Sequence, residues 1–298
     1  MQHPGHIPGT SLRRPFHTEV DVVVVGSGPA GATVAWELTQ AGAKVAVVEA
    51  GPWRQPASFP LGGFEAMADM YRDMGASLVV GPALMPYVQG RMVGGSSPIN
   101  GAICWRMPHD VHRAWCMADP ALTQALPWET LERITDRLEA RLHIRPTDPA
   151  VAGLKNQLLA RGAEALGLEH RPTRRNVHGC EGLGRCLQGC PRGHKRSMDM
   201  TLLHDALQMG ATLMSDTEVK HLTIEQGQAV GVEALAEGGG QVRLRARRAV
   251  VLAASAVQTP ALLLRSGLHQ GPVGAHFQCH PGVSVAGRFK EPVRMWDG

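Results

Sequence analysis

VDVVVVGSGPAG, residues 20–31, decides how this chain folds. Val20–Val25 is rich in β-branched residues and predicts a strand buried on both faces of a parallel sheet. The following six residues, Gly26–Gly31, have the spacing G-x-G-x-x-G and open an apolar stretch, 32–41, that predicts a helix. A second strand is predicted at 44–48, and Glu49 follows it. Strand, glycine loop, helix, strand and acid therefore stand in the order of a dinucleotide-binding βαβ unit.

Each position of this glycine loop has a mechanical task. Gly26 permits the turn, Gly28 lets a pyrophosphate approach the backbone, and Gly31 lets helix and strand pack closely. The start of the helix offers free N–H groups and a positive dipole end to phosphates. Glu49 is expected to accept hydrogen bonds from a ribose, and an acid there disfavours NADP because of its 2′-phosphate. The loop by itself does not separate FAD from NAD.

The composition indicates a globular protein and excludes some functions. Apolar residues make up 44% of the 298 residues, enough for one large core or two smaller ones. A net charge of +4 is small for this length, so a nucleic-acid partner is not expected. No signal peptide or transmembrane segment is predicted. We therefore expect a cytoplasmic protein, with export alongside a partner subunit left open.

Two further stretches carry a family resemblance. Residues 90–101 read GRMVGGSSPING, which suits a backbone wrapped closely around a large ligand. Residues 250–260 read VVLAASAVQTP and are followed by LLLRSG at 262–267. With the glycine loop, they resemble the glucose-methanol-choline (GMC) oxidoreductase family, from residue 20 to residue 281. In that family the first stretch wraps FAD near its isoalloxazine ring, and the second brings a strand to the FAD and a helix away from it.

The resemblance implies an α/β fold, a Rossmann-type FAD-binding domain with inserted helical and loop segments, and a carboxyl-terminal substrate domain that is missing or incomplete. The expected domains are a flexible segment at 1–17 and an FAD-binding domain at 18–298. Insertions are expected at about 60–195, and they include the wrapping motif 90–102 and a cysteine loop at 180–191. Helical spacing of Leu predicts helices near 131–142 and 154–165.

The resemblance also implies the residues that bind FAD, and we expect the backbone of Val219 to touch the adenine. Family members with covalent flavin have a His before the Asn of the wrapping motif, whereas Ile99 stands there in this chain, so noncovalent FAD is expected. Ser255 stands where the family usually has Gly. The expected FAD-binding set is Gly26, Ser27, Gly28, Ala30, Gly31, Glu49, Ala50, Arg91, Gly95, Ser96, Asn100, Gly101, Ala102, Val219, Ala254 and Ser255.

Two segments outside these motifs carry further structural predictions. A β-meander is predicted from about residue 219 to Ala234. Met67, Met70 and Met74 form a stripe on a predicted helix, which indicates core packing or a flexible lid.

Cysteines are concentrated between residues 180 and 190. Three thiols, those of Cys180, Cys186 and Cys190, are close in sequence in a glycine-rich loop, and Pro191 follows the last of them. This pattern suits an iron–sulfur cluster. The loop also resembles that of the bacterial FAD-dependent glucose dehydrogenases of the same family, which binds a three-iron cluster, so a 3Fe-4S cluster is predicted. A zinc site with His178 or His194 as fourth ligand, and a loop without metal, are the alternatives.

The resemblance implies an FAD-dependent oxidoreductase that oxidises an alcohol or sugar hydroxyl by hydride transfer to flavin, with electrons passed to an external acceptor. If the cluster is present, a cytochrome or quinone partner is expected as acceptor, because a cluster relays single electrons. The family's base is a His near the carboxyl terminus of a longer chain, so the catalytic residues are expected beyond residue 298. His280 is interpreted as a structural residue at a turn. The alternatives are an incomplete or degenerate FAD-binding module without activity and a steroid oxidase-like flavoenzyme.

Overall fold

The computed structural model describes residues 3–81, 84–279 and 282–298 of the chain. Its strands are, in chain order, β1 His6–Pro8, β2 Phe16–Val25, β3 Val45–Val48, β4 Ser77–Val79, β5 Met85–Tyr87, β6 Ile144–Pro146, β7 Arg174–Asn176, β8 Thr212–Ser215, β9 Thr217–Glu225, β10 Gln228–Ala236 and β11 Gln241–Leu252. Its helices are α1 Pro29–Gln40, α2 Gly63–Met70, α3 His109–Ala118, α4 Leu122–Ala125, α5 Trp128–Arg141, α6 Leu154–Ala165, α7 Leu202–Gln208 and α8 Ser255–Arg265.

The chain divides into two compact units. The first comprises Met1–Ile99, Leu187–Gly193 and Met198–Gly287. The second comprises Asn100–Cys186, His194–Ser197 and Arg288–Gly298. His280, which the sequence predicts to be structural, lies outside the described residues.

The first unit is built on a seven-stranded sheet with the order β1-β8-β3-β2-β11-β10-β9. The first five strands in this order are mutually parallel. The sheet continues as a meander, in which β10 is antiparallel to β11 and β9 is antiparallel to β10. Helix α1 connects the parallel strands β2 and β3, and it packs against α7 and both of those strands. This is the Rossmann-type βαβ arrangement that the first motif predicts.

Burial of both faces explains the continuous valine run of β2. Side chains alternate between the two faces of a strand, and Val22 to Val25 are all 5% exposed or less. Val23 and Val25 belong to one core cluster with Val48 of β3 and Leu244 of β11. Because neither face of the strand meets water, the sequence shows an apolar run in place of alternation.

The second unit is mainly helical, with α3 to α6 and a short antiparallel two-stranded sheet of β6 and β7, which flank α6 in sequence. Helices α5 and α6 agree with the leucine spacing of the sequence. A buried carboxylate, Glu139 of α5, binds Arg106 and Arg174 with paired hydrogen bonds of 2.6–2.9 Å. These bonds join a loop, a helix and a strand of this unit.

Two expectations are corrected by the structure. Residues 6–8 form the edge strand β1 of the sheet, whereas the sequence predicted a flexible segment through residue 17. The three methionines do not share one helix, because α2 ends at Met70 and Met74 has a left-handed backbone with φ 53°. Local composition did not signal β1, since its hydrogen-bonding partner β8 is about two hundred residues distant in sequence.

Candidate functional site

The glycine loop joins β2 to α1, and its three glycines have different surroundings. A Cβ on Gly26, where φ is 99°, would lie 2.5 Å from the Ala253 carbonyl oxygen, and one on Gly31 would lie 1.9 Å from the Gly26 oxygen. These two glycines are therefore required by the fold. A Cβ on Gly28 would meet only the Gly95 Cα, at 3.8 Å, with an ordinary φ of −65°. Gly28 thus leaves open space at the start of α1.

Glu49 follows β3 and is 7% exposed. Its Oε2 accepts hydrogen bonds from the Ser27 N–H at 3.0 Å and the Ser27 hydroxyl at 2.7 Å, and its Oε1 accepts one from the Gly51 N–H at 2.9 Å. The buried Ser27 hydroxyl in turn accepts a bond from the Gly94 N–H at 3.0 Å. The carboxylate is therefore held rigidly against the glycine loop, and it retains acceptor capacity for a further donor.

The wrapping segment, residues 90–99 of the wrapping motif, packs its backbone directly against the backbone of the glycine loop. A Cβ on Gly95 would lie 2.7 Å from the Gly28 Cα, and one on Gly90 would lie 2.3 Å from the Gly95 oxygen. The Ser96 hydroxyl accepts a bond from the Gly90 N–H at 2.9 Å. Glycine is needed here because no side chain fits between the two passing chains.

The start of β9 and the turn from β11 to α8 lie opposite the glycine loop. Ser255 has a φ of 84°, and its Oγ accepts a bond from Gln89 Nε2 at 2.8 Å. Burial by itself raises the pKa of Glu218. The hydrogen bond from Lys220 and the positive charges of Lys220, Arg72 and Arg91 lower this pKa by more than burial raises it. The pKa of Glu218 is accordingly lowered.

These elements enclose a cleft of about 610 Å³ at the carboxyl ends of β2, β3 and β11. Open α/β sheets bind ligands at this edge, beyond the carboxyl ends of the parallel strands. The predicted residues that line the cleft are Gly26, Gly28, Ala30, Glu49, Ala50, Gly95, Ser96, Val219, Ala254 and Ser255.

The other predicted residues lie elsewhere. Ser27 and Gly31 lie beneath the lining, where they support the loop, and Arg91 is exposed on the wrapping segment. Asn100, Gly101 and Ala102 belong to the second unit, where the Asn100 side chain accepts a bond from the Ala102 N–H at 2.9 Å.

Several lining residues were missed in the sequence, including Arg72, Gln89, Thr217, Glu218 and Arg265. Gln89 immediately precedes the wrapping motif and could have been found from that position, whereas no motif surrounds Arg72. Arg72 Nε and Gln89 Oε1 are buried and have no hydrogen-bond partner in the described part of the protein. Buried polar atoms are usually paired, so these two are suited to a ligand in the cleft.

The cysteine loop gains no support as a metal site. Cys180, Cys186 and Cys190 are free, partly buried thiols, and Cys186 Sγ accepts a bond from Arg175 at 2.7 Å. Within the described ranges, no group of three or more His, Cys, Asp or Glu residues is arranged to hold a metal ion.

Among the described residues, no helix has both the length and the apolar character that crossing a membrane requires.

Comparison with known proteins decides the family. The family described as GMC oxidoreductase matches residues 23–282, most of the chain. The chain belongs to the GMC oxidoreductase family. The recognition drawn from the glycine loop, the wrapping motif and residues 250–267 is thereby confirmed, and this family is one of FAD flavoproteins.

Individual GMC relatives agree with this assignment. A GMC-type oxidoreductase of Mycobacterium tuberculosis is 35% identical over 97% of this chain and 46% of its own length. The long-chain-alcohol oxidase FAO4A of Arabidopsis thaliana is 30% identical over 95% of this chain and 39% of its own length. The chain thus spans about half the length, or less, of these relatives.

A solved structure supports the GMC fold. The crystal structure of pyridoxine 4-oxidase from Mesorbium loti matches with a TM-score of 0.59 and 21% identity, over 86% of this chain and 54% of the other. The α/β, Rossmann-type fold class is confirmed.

Proposed function

We propose that this chain binds FAD noncovalently in the cleft, and that the complete protein is an FAD-dependent oxidoreductase that oxidises an alcohol or sugar hydroxyl. The observation that carries the proposal is the open cleft beside Gly28, at the start of α1, with the acid Glu49 at the end of the next strand. Membership of the GMC family supports FAD as the occupant.

The cleft residues fit such a group. The start of α1 and the bare Gly28 backbone would hold the pyrophosphate, and Glu49 would accept hydrogen bonds from the adenosine ribose. Arg72 Nε and Gln89 Oε1, which have no hydrogen-bond partner among the described residues, would complete their hydrogen bonding on the same ligand. Val219 and Ser255 would bind from the opposite wall. Ile99 has no nucleophilic atom, which supports noncovalent binding.

FAD supplies a site that accepts the hydride removed from the carbinol carbon. The chain's own residues that line the cleft would bind and orient the cofactor. Oxidation also needs a base within hydrogen-bond reach of the substrate hydroxyl. In the described ranges no histidine lines the cleft, so we place the base outside this cleft.

The substrate class rests on the relatives. FAO4A of Arabidopsis is named a long-chain-alcohol oxidase, which supports an alcohol over other donors. A cytochrome or quinone acceptor is expected only together with an iron–sulfur cluster, which would relay single electrons. A 3Fe-4S cluster is not part of the proposal, because the described cysteines form no metal-binding group. Iron detected in an anaerobic preparation of the protein would support the cluster.

Gly28→Ala tests the proposal. The new methyl group fits the protein, with 3.8 Å to its nearest neighbour, but it fills the space that a pyrophosphate needs. We expect wild-type folding and an FAD affinity reduced by about tenfold or more, measured by quenching of flavin fluorescence. Acid precipitation should release the flavin from the wild-type protein.

Gly162→Ala is the matched control, because no atom lies within 4 Å of the new Cβ on α6. This variant should bind FAD like the wild type. Equal FAD affinity for Gly28→Ala, or no FAD binding by the wild-type chain, would contradict the proposed site.

A further inference from the structure

Strand β1 lies outside the residues that match the GMC family, 23–282, yet it is attached to the segment that lines the cleft. It pairs in parallel with β8, and the Gly5 carbonyl accepts a bond from the Leu213 N–H at 2.8 Å. A Cβ on Gly9, just after β1, would lie 2.1 Å from the Asp216 oxygen. The chain is therefore packed on the beginning of β8 before β1, and on the β8–β9 turn after it.

His6 of β1 takes part in a short chain of hydrogen bonds. The Ser215 hydroxyl donates to Asp216 Oδ2 at 2.7 Å, and His6 Nε2 lies 2.9 Å from the same hydroxyl oxygen. Because a hydroxyl has one proton, and Asp216 receives it, His6 Nε2 must donate to Ser215. The His6 ring also contacts the Trp53 ring edge-on, with 4.8 Å between centroids.

This arrangement does not resemble a hydrolytic triad. In a triad the acid orients the histidine, and the serine is reached by substrate. Here the acid accepts from the serine, and Ser215 is completely buried. The remaining role for these bonds is structural control of the turn.

That turn is where the cleft wall begins. Asp216 has a left-handed backbone, with φ 49°, which is unfavourable for a residue with a side chain. Its N–H donates to the Gly51 oxygen at 3.0 Å, and the Thr217 N–H donates to the Glu49 oxygen at 2.9 Å. Thr217, Glu218 and Val219 then line the cleft.

We propose that His6 is a positioning residue for the cleft: by donating to Ser215 it holds Asp216 in its left-handed turn and so places Thr217–Val219 against the adenosine half of the ligand. The identity of that ligand rests on the proposed function. The placement of Thr217–Val219 by His6 does not rest on the proposed function, because it concerns hydrogen bonds that the protein makes within itself.

The experiment compares wild-type full chain with His6→Ala and His6→Gln. Hydrogen exchange is measured by mass spectrometry on peptides that cover residues 215–219, and affinity is measured calorimetrically with ADP. His6→Ala should speed exchange in these peptides and weaken ADP binding by about tenfold, the value of one buried hydrogen bond. A glutamine amide can donate in the same direction, so His6→Gln should restore most of both properties.

His17→Ala is the matched control, since His17 is exposed on β2. It should change neither exchange nor affinity. Unaltered exchange at 215–219 in His6→Ala, or equal losses in the Ala and Gln variants, would overturn the role of His6. If wild-type protein bound neither ADP nor FAD, the proposed function would fail, while the exchange data would still decide the inference.

Discussion

At the scale of single residues, Ser255 shows how this chain departs from its family. Its φ of 84° lies in the region where a Cβ is costly and glycine is favoured. Glycine was the residue expected at this position from the family resemblance. The serine hydroxyl compensates, because Oγ accepts bonds from the N–H groups of Val257 and Gln258 at 3.3 and 3.2 Å as well as from Gln89.

Replacing Ser255 should separate strain from hydrogen bonding. Ser255→Ala keeps the unfavourable φ and loses the hydroxyl, whereas Ser255→Gly loses the hydroxyl but relieves the strain. We expect the Ala variant to be less stable than the Gly variant by about 1 kcal/mol, the reverse of their order in an ordinary helix. Urea unfolding measures both. An Ala variant as stable as the Gly variant would show that the turn is unstrained.

Glu139 is the second residue with a defined energetic role. Hydrogen bonds from Arg106, opposed by burial and reinforced by Arg174, lower its pKa to about 2. Glu139→Gln should reduce the unfolding free energy of the second unit by about 2 kcal/mol, less than for a fully buried pair, because both arginines are partly exposed. Asp136→Asn is the control, since Asp136 is largely exposed and should contribute below about 0.5 kcal/mol.

The same carboxylate predicts a pH dependence. The folded pKa lies below the ordinary value of 4.5, so the stabilisation is complete above about pH 4.5 and is lost as the pH falls toward 2. The wild-type melting temperature should fall over this window more steeply than that of Glu139→Gln. Parallel curves for the two proteins would contradict this assignment.

At the scale of elements, helix α6 and the turn that ends it each have a glycine, and the two glycines have opposite requirements. Gly162 lies in the helix interior with no atom within 4 Å of an added Cβ. Gly167 follows the helix with φ 65°, and the Leu168 N–H donates back to the Ala163 oxygen at 2.9 Å. This is the left-handed termination that glycine allows.

Paired alanine variants test this difference within one helix. Gly162→Ala should stabilise the protein by about 1 kcal/mol because alanine is the better helix former. Gly167→Ala should destabilise it by about 1 kcal/mol because the Cβ opposes the left-handed backbone. Thermal unfolding gives both signs, and changes of the same sign would contradict a left-handed helix end at Gly167.

At the scale of the whole molecule, the cleft and the chemistry have different requirements. Binding FAD needs the glycine loop, residues 90–99 of the wrapping motif and the β9 wall, all of which belong to the first unit. Oxidising an alcohol also needs the substrate carbon and a base placed within about 3 Å of their partners. The cleft lining in the described residues offers no histidine for that task.

We therefore expect the 298-residue chain to bind FAD without oxidising alcohols. Activity is measured with a long-chain primary alcohol and an artificial electron acceptor in the presence of added FAD. A longer protein that includes the rest of a GMC chain should show turnover in the same assay. Turnover by residues 1–298 that is abolished by His280→Ala would make His280 the base.

The sequence by itself determined the local features that depend on neighbouring residues. The G-x-G-x-x-G spacing after a valine run predicted the βαβ unit, its cleft-facing Gly28 and the acid Glu49. The wrapping motif and residues 250–267 predicted the GMC family. These signals are readable because backbone turns, close approaches and burial each require particular residue types at fixed spacing.

Only the tertiary structure decided which distant segments meet. It joined β1 to β8, placed His6 beside Ser215, and brought Arg72 and Gln89 to the cleft without any common motif. It also assigned Asn100–Ala102 to the second unit, although they belong to one continuous motif with Gly90–Ile99. The reason is physical: parallel strand pairing and side-chain packing depend on the path of the whole chain, whereas sequence spacing reports only what lies within a few residues.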